Sequence, residues 1–334
     1  MYELLGICLV LAALLTINAL ASLAFGACSP LVRRLLQDRS ARTRAEILFA
    51  LRVGPAALAM LSVALFLVPS YLGYEPYRTS EIVSKKLAGL AILSAIGVAL
   101  ALCRAVRSWF ATRTLLQEWL AGAVRIKLSG TSIPTFRISN PFPIIAVVGT
   151  FRPRLFIAAH VLETLSQEEL AAAIAHEAGH LHAYDNLKRS LMRACADVLM
   201  IVPCGRTLDR AWAEAAESAA DERAAQHSVD TALNLASALV KIAKMVPIGA
   251  RAAVPLAAFL VGVEETRGVK ARVRRLLEIA SNGYLRRSSN RLITRLAPTA
   301  SVCGLLLLAL VIANNPIVLV TIHTVIESAV RFLS

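Results

Sequence analysis

The sequence predicts a mainly α-helical protein that crosses a membrane several times and carries one α+β domain outside the bilayer. Three observations favour this fold class. Of the 334 residues, 57% are hydrophobic and only 17% are charged. The mean hydropathy is +0.63. Apolar residues gather in long uncharged runs near both ends of the chain, whereas the central part has a mixed composition. This composition excludes a disordered chain and a purely soluble protein.

Three membrane spans with short loops are predicted within residues 1–105. Residues 4–27 contain no charged side chain, and residues 53–72 and 87–105 form two further apolar runs. About 20 apolar residues in a helix cross the roughly 30 Å hydrocarbon core. A signal peptide is the alternative for the first run. It is disfavoured because no basic region precedes the run, which also exceeds the usual length of about 7–15 residues.

Residues 294–334 are predicted to form a fourth span and a short C-terminal amphipathic tail. The apolar run 296–313 is followed by Asn-Asn-Pro, which is typical of a helix end and a new helix start. In the tail, His323, Glu327 and Arg331 recur every four residues and therefore share one face. Such a helix either lies on the membrane or continues the bundle, and both alternatives stay open.

The excess of basic residues sets the predicted orientation. The chain has 36 Lys and Arg against 22 Asp and Glu, a net charge of +14. Six arginines lie in the first loop and others follow the third span, whereas the second loop carries three basic residues. Because cytoplasmic loops carry the excess of Lys and Arg, we expect the N-terminus outside and the central domain in the cytoplasm of a bacterial-type inner membrane. Direct nucleic-acid binding is not expected, since no binding motif accompanies the charge.

Residues 106–293 are predicted to form one cytoplasmic α+β domain. After a helix over 107–123, the runs VRIKLSG, FRISNPFPIIAVVGT and PRLFIAA are typical of a small sheet. The alanine-rich remainder predicts helices. Their predicted bounds are 166–184, 187–202, 208–228, 231–246 and 268–281. Strands followed by helices indicate an α+β domain.

The first of these five helices carries a metal-binding motif. Ser166 and Glu169 form a capping box that starts the helix, and the motif His-Glu-Ala-Gly-His follows. Their spacing puts His176 and His180 on one face, where they can chelate Zn²⁺ and leave a position open for water. Glu177 adjoins this face as the predicted general base. Roughly 0.005 chance matches to this motif are expected in such a chain, so a solvated helix face is disfavoured.

A zinc site of this type needs a third protein ligand, and an alanine-rich helix further along offers candidates. The candidates are Glu214, Glu217, Asp221, Glu222 and His227. Glu217 and Asp221 are four residues apart and face the same way. One of them can bind the metal while the other accepts a hydrogen bond from a ligand imidazole. A solvated acidic helix face, balanced by arginines, is the alternative.

The segment NPFPIIAVVGTFRPRLFIAAHVLETLSQEELAAAIAHEAGHLHAYDNL, followed by WAEAAESAADERAA, resembles the BlaR/MecR-type membrane zinc peptidases of metallopeptidase family 56. The resemblance extends over residues 120–280, including the run RVRRLLE, and the three preceding spans agree in number. Asp185 falls in the H-x-x-x-x-D-N continuation of the motif. We expect Asp185 to order the helix end, where it can pair with Arg189.

The resemblance implies a zincin-like metallopeptidase domain that holds one Zn²⁺ per chain. His176, His180 and Glu217 are the implied ligands, Glu177 the implied catalytic base, and Asp221 the implied partner of a ligand. The implied function is a regulatory membrane endopeptidase that cleaves itself, a cytoplasmic transcriptional repressor, or both. The expected partners are the lipid bilayer and a peptide or protein substrate, and homo-oligomerisation stays open. Because the chain lacks the penicillin-binding domain of sensor members, we expect no β-lactam receptor.

Two other functions stay open. A quality-control protease of the HtpX type shares H-E-x-x-H and E-x-x-x-D, but it places spans soon after the motif helix. Here residues 190–203 carry charges and are too short to cross. A catalytically inactive transmembrane signalling protein is the second alternative. It is disfavoured because Glu177 and a complete ligand set are present.

Three details of the site also stay open. Tyr184, His182 and His227 are the candidates for the donor that stabilises the oxyanion. The strand within residues 144–149 either offers its edge to an extended substrate or is an ordinary core strand. The basic stretch 284–291 is either a self-cleavage site or the basic flank of the fourth span.

Overall fold

The structure of the protein is a computed structural model that describes most of the chain. The described residues are 2–76, 83–128, 131–149, 152–195, 204–246, 266–281, 304 and 307–333. The predicted cleavage stretch 284–291, the first part of the predicted fourth span and residues 196–202 lie outside the described residues.

Long helices build the membrane part. Helix α2 continues through a π-helical turn, Val63–Leu67, into α3. Within the described residues, four helical stretches are long and apolar enough to cross a membrane: α1, α2 with α3, α4 and the last helix, α11. The helix bounds are α1 Tyr2–Leu35, α2 Ala41–Ser62, α3 Val68–Tyr74, α4 Lys85–Ala121 and α11 Pro316–Leu333.

Helix α4 joins two predicted elements. The sequence predicts a span ending near residue 105 and a helix over 107–123, and the structure has both within one continuous helix of 37 residues. Residues 103–113 contain neither Gly nor Pro, so nothing in the backbone interrupts the helix. The domain boundary predicted at 105/106 therefore falls within an uninterrupted helix.

Helix α11 packs against the membrane helices. Ser70 Oγ donates a hydrogen bond to the Leu319 carbonyl at 2.8 Å. His323, Glu327 and Arg331 share a face, as the sequence predicted. Glu327 lies 3.4 Å from His323 Nε2 and 3.0 Å from the Arg331 guanidinium. Helix α11 therefore contacts α3 through the Ser70 hydrogen bond, and it is long and apolar enough to cross a membrane.

A small mixed sheet confirms the predicted strands. The order is β1-β2-β4-β3; β2 and β4 are parallel and the other pairs are antiparallel. Strand β3 therefore lies at an edge of the sheet, although its side chains are buried. The bounds are β1 Val124–Ile126, β2 Thr135–Ile138, β3 Ile145–Val148 and β4 Arg154–Ala158.

In the described part of the peptidase domain, six helices follow the sheet. They are α5 Ala159–Thr164, α6 Gln167–His182, α7 Asp185–Ala194, α8 Cys204–Ala225, α9 Val229–Met245 and α10 Thr266–Ser281. Four of them lie close to the predicted bounds, whereas α7 begins near its predicted start and ends at Ala194 rather than 202. Strands β3 and β4 form one apolar core with α6, α9 and α10. The end of α4 joins this core, where Trp119 packs edge-on against Phe156, with ring centroids 5.2 Å apart.

The capping box predicted for α6 is present. Ser166 Oγ accepts a hydrogen bond from the Glu169 N–H at 3.2 Å, and a Glu169 carboxylate oxygen accepts from the Ser166 N–H at 2.9 Å. Glu169 also accepts hydrogen bonds from Ser237 and Lys241 of α9. The start of α6 is thus fixed both by its own cap and by α9.

Helix α8 is held by the membrane helix α2. Arg52 is buried and donates to Asp209 of α8 at 2.9 Å and to the Cys195 carbonyl at 3.0 Å. Trp212 and Leu48 belong to the apolar cluster between the two helices. The membrane part therefore contacts directly the helix that carries the candidate metal ligands Glu217 and Asp221.

Candidate metal centre

Helix α6 presents two buried imidazoles on one face. The Nε2 atoms of His176 and His180 lie 3.2 Å apart, and the ring planes are nearly perpendicular, at 86°. Both side chains are almost completely inaccessible to solvent. This arrangement follows from the spacing of four residues within a helix.

A carboxylate lies against the other nitrogen of each ring. His176 Nδ1 is 2.9 Å from Asp221, and His180 Nδ1 is 2.7 Å from Asp185. Carboxylates at these positions favour the tautomer with the proton on Nδ1, which leaves a lone pair on each Nε2. The contact of Asp185 with His180 corrects the expected pairing with Arg189, whose guanidinium instead lies 5.6 Å from the Trp212 ring.

Glu217 of α8 completes a group of three ligand atoms. Its two carboxylate oxygens lie 3.5 Å from His176 Nε2 and 3.5 Å from His180 Nε2. The three ligand atoms all lie within 4.8 Å of one another. Among the other sequence candidates, Glu222 pairs with Arg275, and Glu214 is exposed to solvent.

The donor set fits a zinc ion. Two imidazole nitrogens and one carboxylate are ligands that Zn²⁺ takes in catalytic sites, with a fourth position left open. Two Nε2 lone pairs facing each other at 3.2 Å also require a cation or a proton between them. In addition, Glu177, Glu217, Asp185 and Asp221 meet a single described guanidinium, so a divalent cation improves the charge balance.

Arg272 of α10 is a site residue that the sequence reasoning missed. Its guanidinium donates two hydrogen bonds to Asp221, at 2.8 and 2.7 Å, and lies 3.0 Å from Glu217. It also approaches His176 Nε2 at 3.5 Å. The run RVRRLLE was noted in the sequence, but it contains three arginines, and nothing in the run distinguishes one of them as a site residue.

Burial and charge shift the pKa values of the carboxylates. Burial raises the pKa of Glu177 to about 7, although the two nearby histidines oppose the shift. Burial also disfavours ionised Glu217, but Arg272 and the histidines outweigh it and lower the pKa of Glu217 to about 2. The same balance holds the pKa of Asp221 well below its usual range. Glu217 and Asp221 are therefore anionic, as ligand and hydrogen-bond acceptor require.

Glu177 lies between the metal-binding face and the sheet edge. One carboxylate oxygen accepts a hydrogen bond from the Val147 N–H of β3 at 3.2 Å. The other oxygen, Oε1, is buried and has no partner among the described residues. A buried acceptor of this kind is available to hold a proton.

Comparison with known proteins places this site within a peptidase segment. Residues 144–245 match peptidase family M48. The matched segment includes β3, β4 and α5 to α9, and it covers under a third of the chain. The match indicates a protease, and peptidases of family M48 are generally zinc-dependent. No curated protein matches the chain. The narrower BlaR/MecR-type resemblance stays a prediction.

The M48-matching segment also includes a close contact between α6 and α8. A Cβ atom at Gly179 would meet the Ala220 Cα at 3.1 Å and Cβ at 3.2 Å. Gly179 lies within the His-Glu-Ala-Gly-His motif, and Ala220 lies between Glu217 and Asp221. The missing side chain therefore allows the two helices to approach where both carry candidate ligands.

Within the same segment, the outward edge of β3 is already bonded. The N–H and C=O of Val147 point away from β4: the N–H donates to Glu177, and the carbonyl accepts from Asn186 Nδ2 at 3.1 Å. Asn186 also reaches the Gly149 carbonyl at 3.4 Å. In the described sheet β3 is an edge strand, with Asn186 in the place of a partner strand. Binding of an extended substrate at this edge stays a prediction.

The three candidate oxyanion donors lie in different surroundings. Tyr184 is 70% exposed. His182 directs Nδ1 at the Ala178 carbonyl of its own helix, at 2.7 Å. His227, just after α8, directs Nδ1 at the Ala224 carbonyl, at 3.1 Å. Arg272 is the cation found beside His176 Nε2.

Proposed function

We propose that this protein is a membrane-embedded zinc endopeptidase with a regulatory role. The observation that carries the proposal is the convergence of His176, His180 and Glu217 within 4.8 Å, with Glu177 adjoining them. The match to peptidase family M48 supports the same reaction class. We assign one Zn²⁺ per chain to the three ligands.

The side chains divide the chemistry of peptide hydrolysis between them. When bound, a zinc ion supplies the Lewis acidity that polarises a peptide carbonyl and lowers the pKa of water. Glu177 receives the proton of the attacking water at its unpartnered Oε1 and delivers it to the leaving amine. Asp221 and Asp185 hold the two imidazoles in orientation. Arg272 holds Asp221 in place through a fork of two hydrogen bonds and Glu217 through an ion pair.

The edge of β3 is the proposed binding strand for an extended substrate. A peptide that pairs with Val147 must replace Asn186 at the Val147 carbonyl and Glu177 at the Val147 N–H. Its backbone then lies beside the released Glu177 carboxylate. Substrates with exposed, extended segments are therefore favoured. The candidates are the chain itself and a cytoplasmic transcriptional repressor, with the peptidase domain on the cytoplasmic side of the inner membrane.

The contact between α2 and α8 supports a regulatory role. Arg52 and Trp212 fix the membrane helix to the helix that carries Glu217 and Asp221. A displacement of α2 therefore acts on a metal ligand through one packed interface.

The activity is tested by removing the base and keeping the ligands. In purified full-length protein, Glu177→Ala should lower self-cleavage or cleavage of a candidate repressor by about 10²–10⁴-fold, with unchanged zinc content. Glu168→Gln, an exposed change on the same helix, is the control. Equal cleavage by wild type and the Glu177 variant would exclude the proposed reaction.

The metal site is tested separately by elemental analysis. Wild type should hold one zinc per chain and His176→Ala should hold none, whereas the control His182→Ala, on the exposed face of α6, should retain it. Full zinc content in His176→Ala would refute the ligand assignment.

Proteome-wide comparison of wild type with Glu177→Ala then separates the regulatory role from the quality-control role. A few discrete fragments support regulation, and many fragments of unfolded membrane proteins indicate quality control.

A further inference from the structure

A cavity of about 500 Å³ lies where the membrane helices meet the peptidase domain. Helices α1, α2, α8 and α10 all contribute to its wall. Its polar lining residues include Arg33, Arg34, Arg44, Glu214, Ser218 and Arg275. This cavity is separate from the candidate metal centre, and the proposed peptidase reaction does not use it.

The cavity wall is strongly basic. Four arginines line it against one glutamate, and Arg275 additionally pairs with Glu222. Guanidinium groups gathered around one cavity repel one another, and an anion among them offsets that repulsion, so the site calls for an anion. Arginine forks match the oxygens of a phosphate group in particular.

The position along α1 sets the depth of the cavity relative to the bilayer. The uncharged run of α1 ends at residue 27, and the lining residues of this helix begin at Pro30. At 1.5 Å per residue, Pro30 and Arg34 lie about 5–10 Å beyond the apolar run. Headgroups occupy about 5–8 Å on each side of the hydrocarbon core. The cavity therefore lies at headgroup depth.

Topology alone does not explain this cluster. Arginines 33, 34 and 44 flank membrane spans, where basic residues are common. Arg275, in contrast, comes from α10 of the peptidase domain and lies more than 200 residues later in the chain. The fold brings it to the same cavity. Convergence from separate elements indicates a binding site.

We propose that this cavity binds the phosphate group of an anionic phospholipid in the leaflet on the side of the peptidase domain. Bound lipid contacts the membrane helices α1 and α2 and the peptidase-domain helices α8 and α10. It lies close to site residues, because Ser218 adjoins Glu217 in α8 and Arg275 lies one turn after Arg272 in α10. An effect of the lipid on cleavage rests on the proposed function, whereas lipid binding does not.

The binding experiment uses the full-length protein in nanodiscs of phosphatidylcholine with or without phosphatidylglycerol. Retained lipid is counted by native mass spectrometry after release from the disc. Arg44→Gln/Arg275→Gln should retain phosphatidylglycerol at least about tenfold less than wild type, since each lost charged hydrogen bond removes a comparable factor. The matched control is Arg42→Gln/Arg274→Gln, which removes the same charge from exposed positions of the same two helices.

Further arms identify the source of the phosphate and guard against misfolding. Inorganic phosphate and glycerol phosphate should compete only weakly; full displacement by either would overturn a membrane source. Arg44→Lys/Arg275→Lys keeps the charge and the fold but loses the forks, and it should retain lipid at an intermediate level. Equal retention by wild type and the Gln pair would overturn the site. Where cleavage occurs, phosphatidylglycerol should change its rate in wild type and not in the Gln pair.

Discussion

Helix α8 separates two charged regions of opposite character. On the side of α6, buried carboxylates surround the two histidines, and Arg272 is their described cation. On the side of α1 and α2, four arginines and one glutamate line an open cavity. The acidic region requires a cation and the basic region an anion. One helix thus lies between two sites whose ligands have opposite charge.

The largest expected difference is between two arginines one turn apart on α10. Arg272→Ala leaves Asp221 and Glu217 without their cation, and it should lower the free energy of unfolding by about 3–5 kcal/mol. Arg275→Ala removes a partly exposed pair and should cost about 1 kcal/mol or less. Denaturant titration in micelles with a chelator measures both. Added zinc should restore part of the loss in Arg272→Ala, and equal losses would contradict the contrast.

The link to the membrane should show the next largest effect. Arg52→Ala removes two charge-assisted hydrogen bonds from α2, one to Asp209 of α8 and one to the Cys195 carbonyl at the end of α7. The expected cost in the free energy of unfolding is about 2 kcal/mol. The exposed Arg42→Ala on the same helix is the control. If the interface positions Glu217, zinc affinity falls together with stability. Unchanged zinc affinity at reduced stability would show that the contact of α2 with α8 does not position Glu217.

Gly179→Ala tests the contact of α8 with α6, whereas Arg52→Ala tests its contact with α2. The new methyl group must displace Ala220, and overpacking of this kind costs about 1–3 kcal/mol. Gly89→Ala, in open space within a helix, gains the same helix propensity and is the matched control. We expect weaker zinc binding only in Gly179→Ala, measured by competition with a chelating dye. Equal affinities would mean that α8 adapts.

The smallest effect is expected at the start of α6. Ser166→Ala removes the cap and should lower the free energy of unfolding by about 1 kcal/mol. Glu169 remains bonded to Lys241, and the metal ligands lie ten or more residues away, so zinc affinity should not change. A parallel fall in zinc affinity would show that the cap itself positions His176.

Local sequence signals predicted much of the fold. The capping box located α6, the strand runs located the sheet, and the spacing of four located the paired histidines. Each of these signals is encoded within one helix or strand. Arg272 carried no such signal: it lies 96 residues after His176 and is one of three arginines in its run. Only the packing of α10 on α8 selects it.

Asp185 shows why the partner of a known residue was predicted wrongly. Its spacing of four from Arg189 suggested a pair along one helix. Tyr184, however, has a left-handed backbone with φ of 56°, which ends α6 and turns α7. The turn directs Asp185 back to His180. A positive φ at a tyrosine is uncommon, and no feature of the sequence predicts it at Tyr184.

The uninterrupted helix α4 sets the distance between the bilayer and the sheet of the peptidase domain. Trp119, which packs on the sheet, lies 14 residues beyond the predicted end of the span, or about 20 Å along the helix axis. A membrane-anchored substrate must cover that height with its own stalk. At about 3.3 Å per extended residue, some six residues are needed to bring a scissile bond level with the sheet. Proteins with shorter stalks should escape cleavage, whatever their sequence.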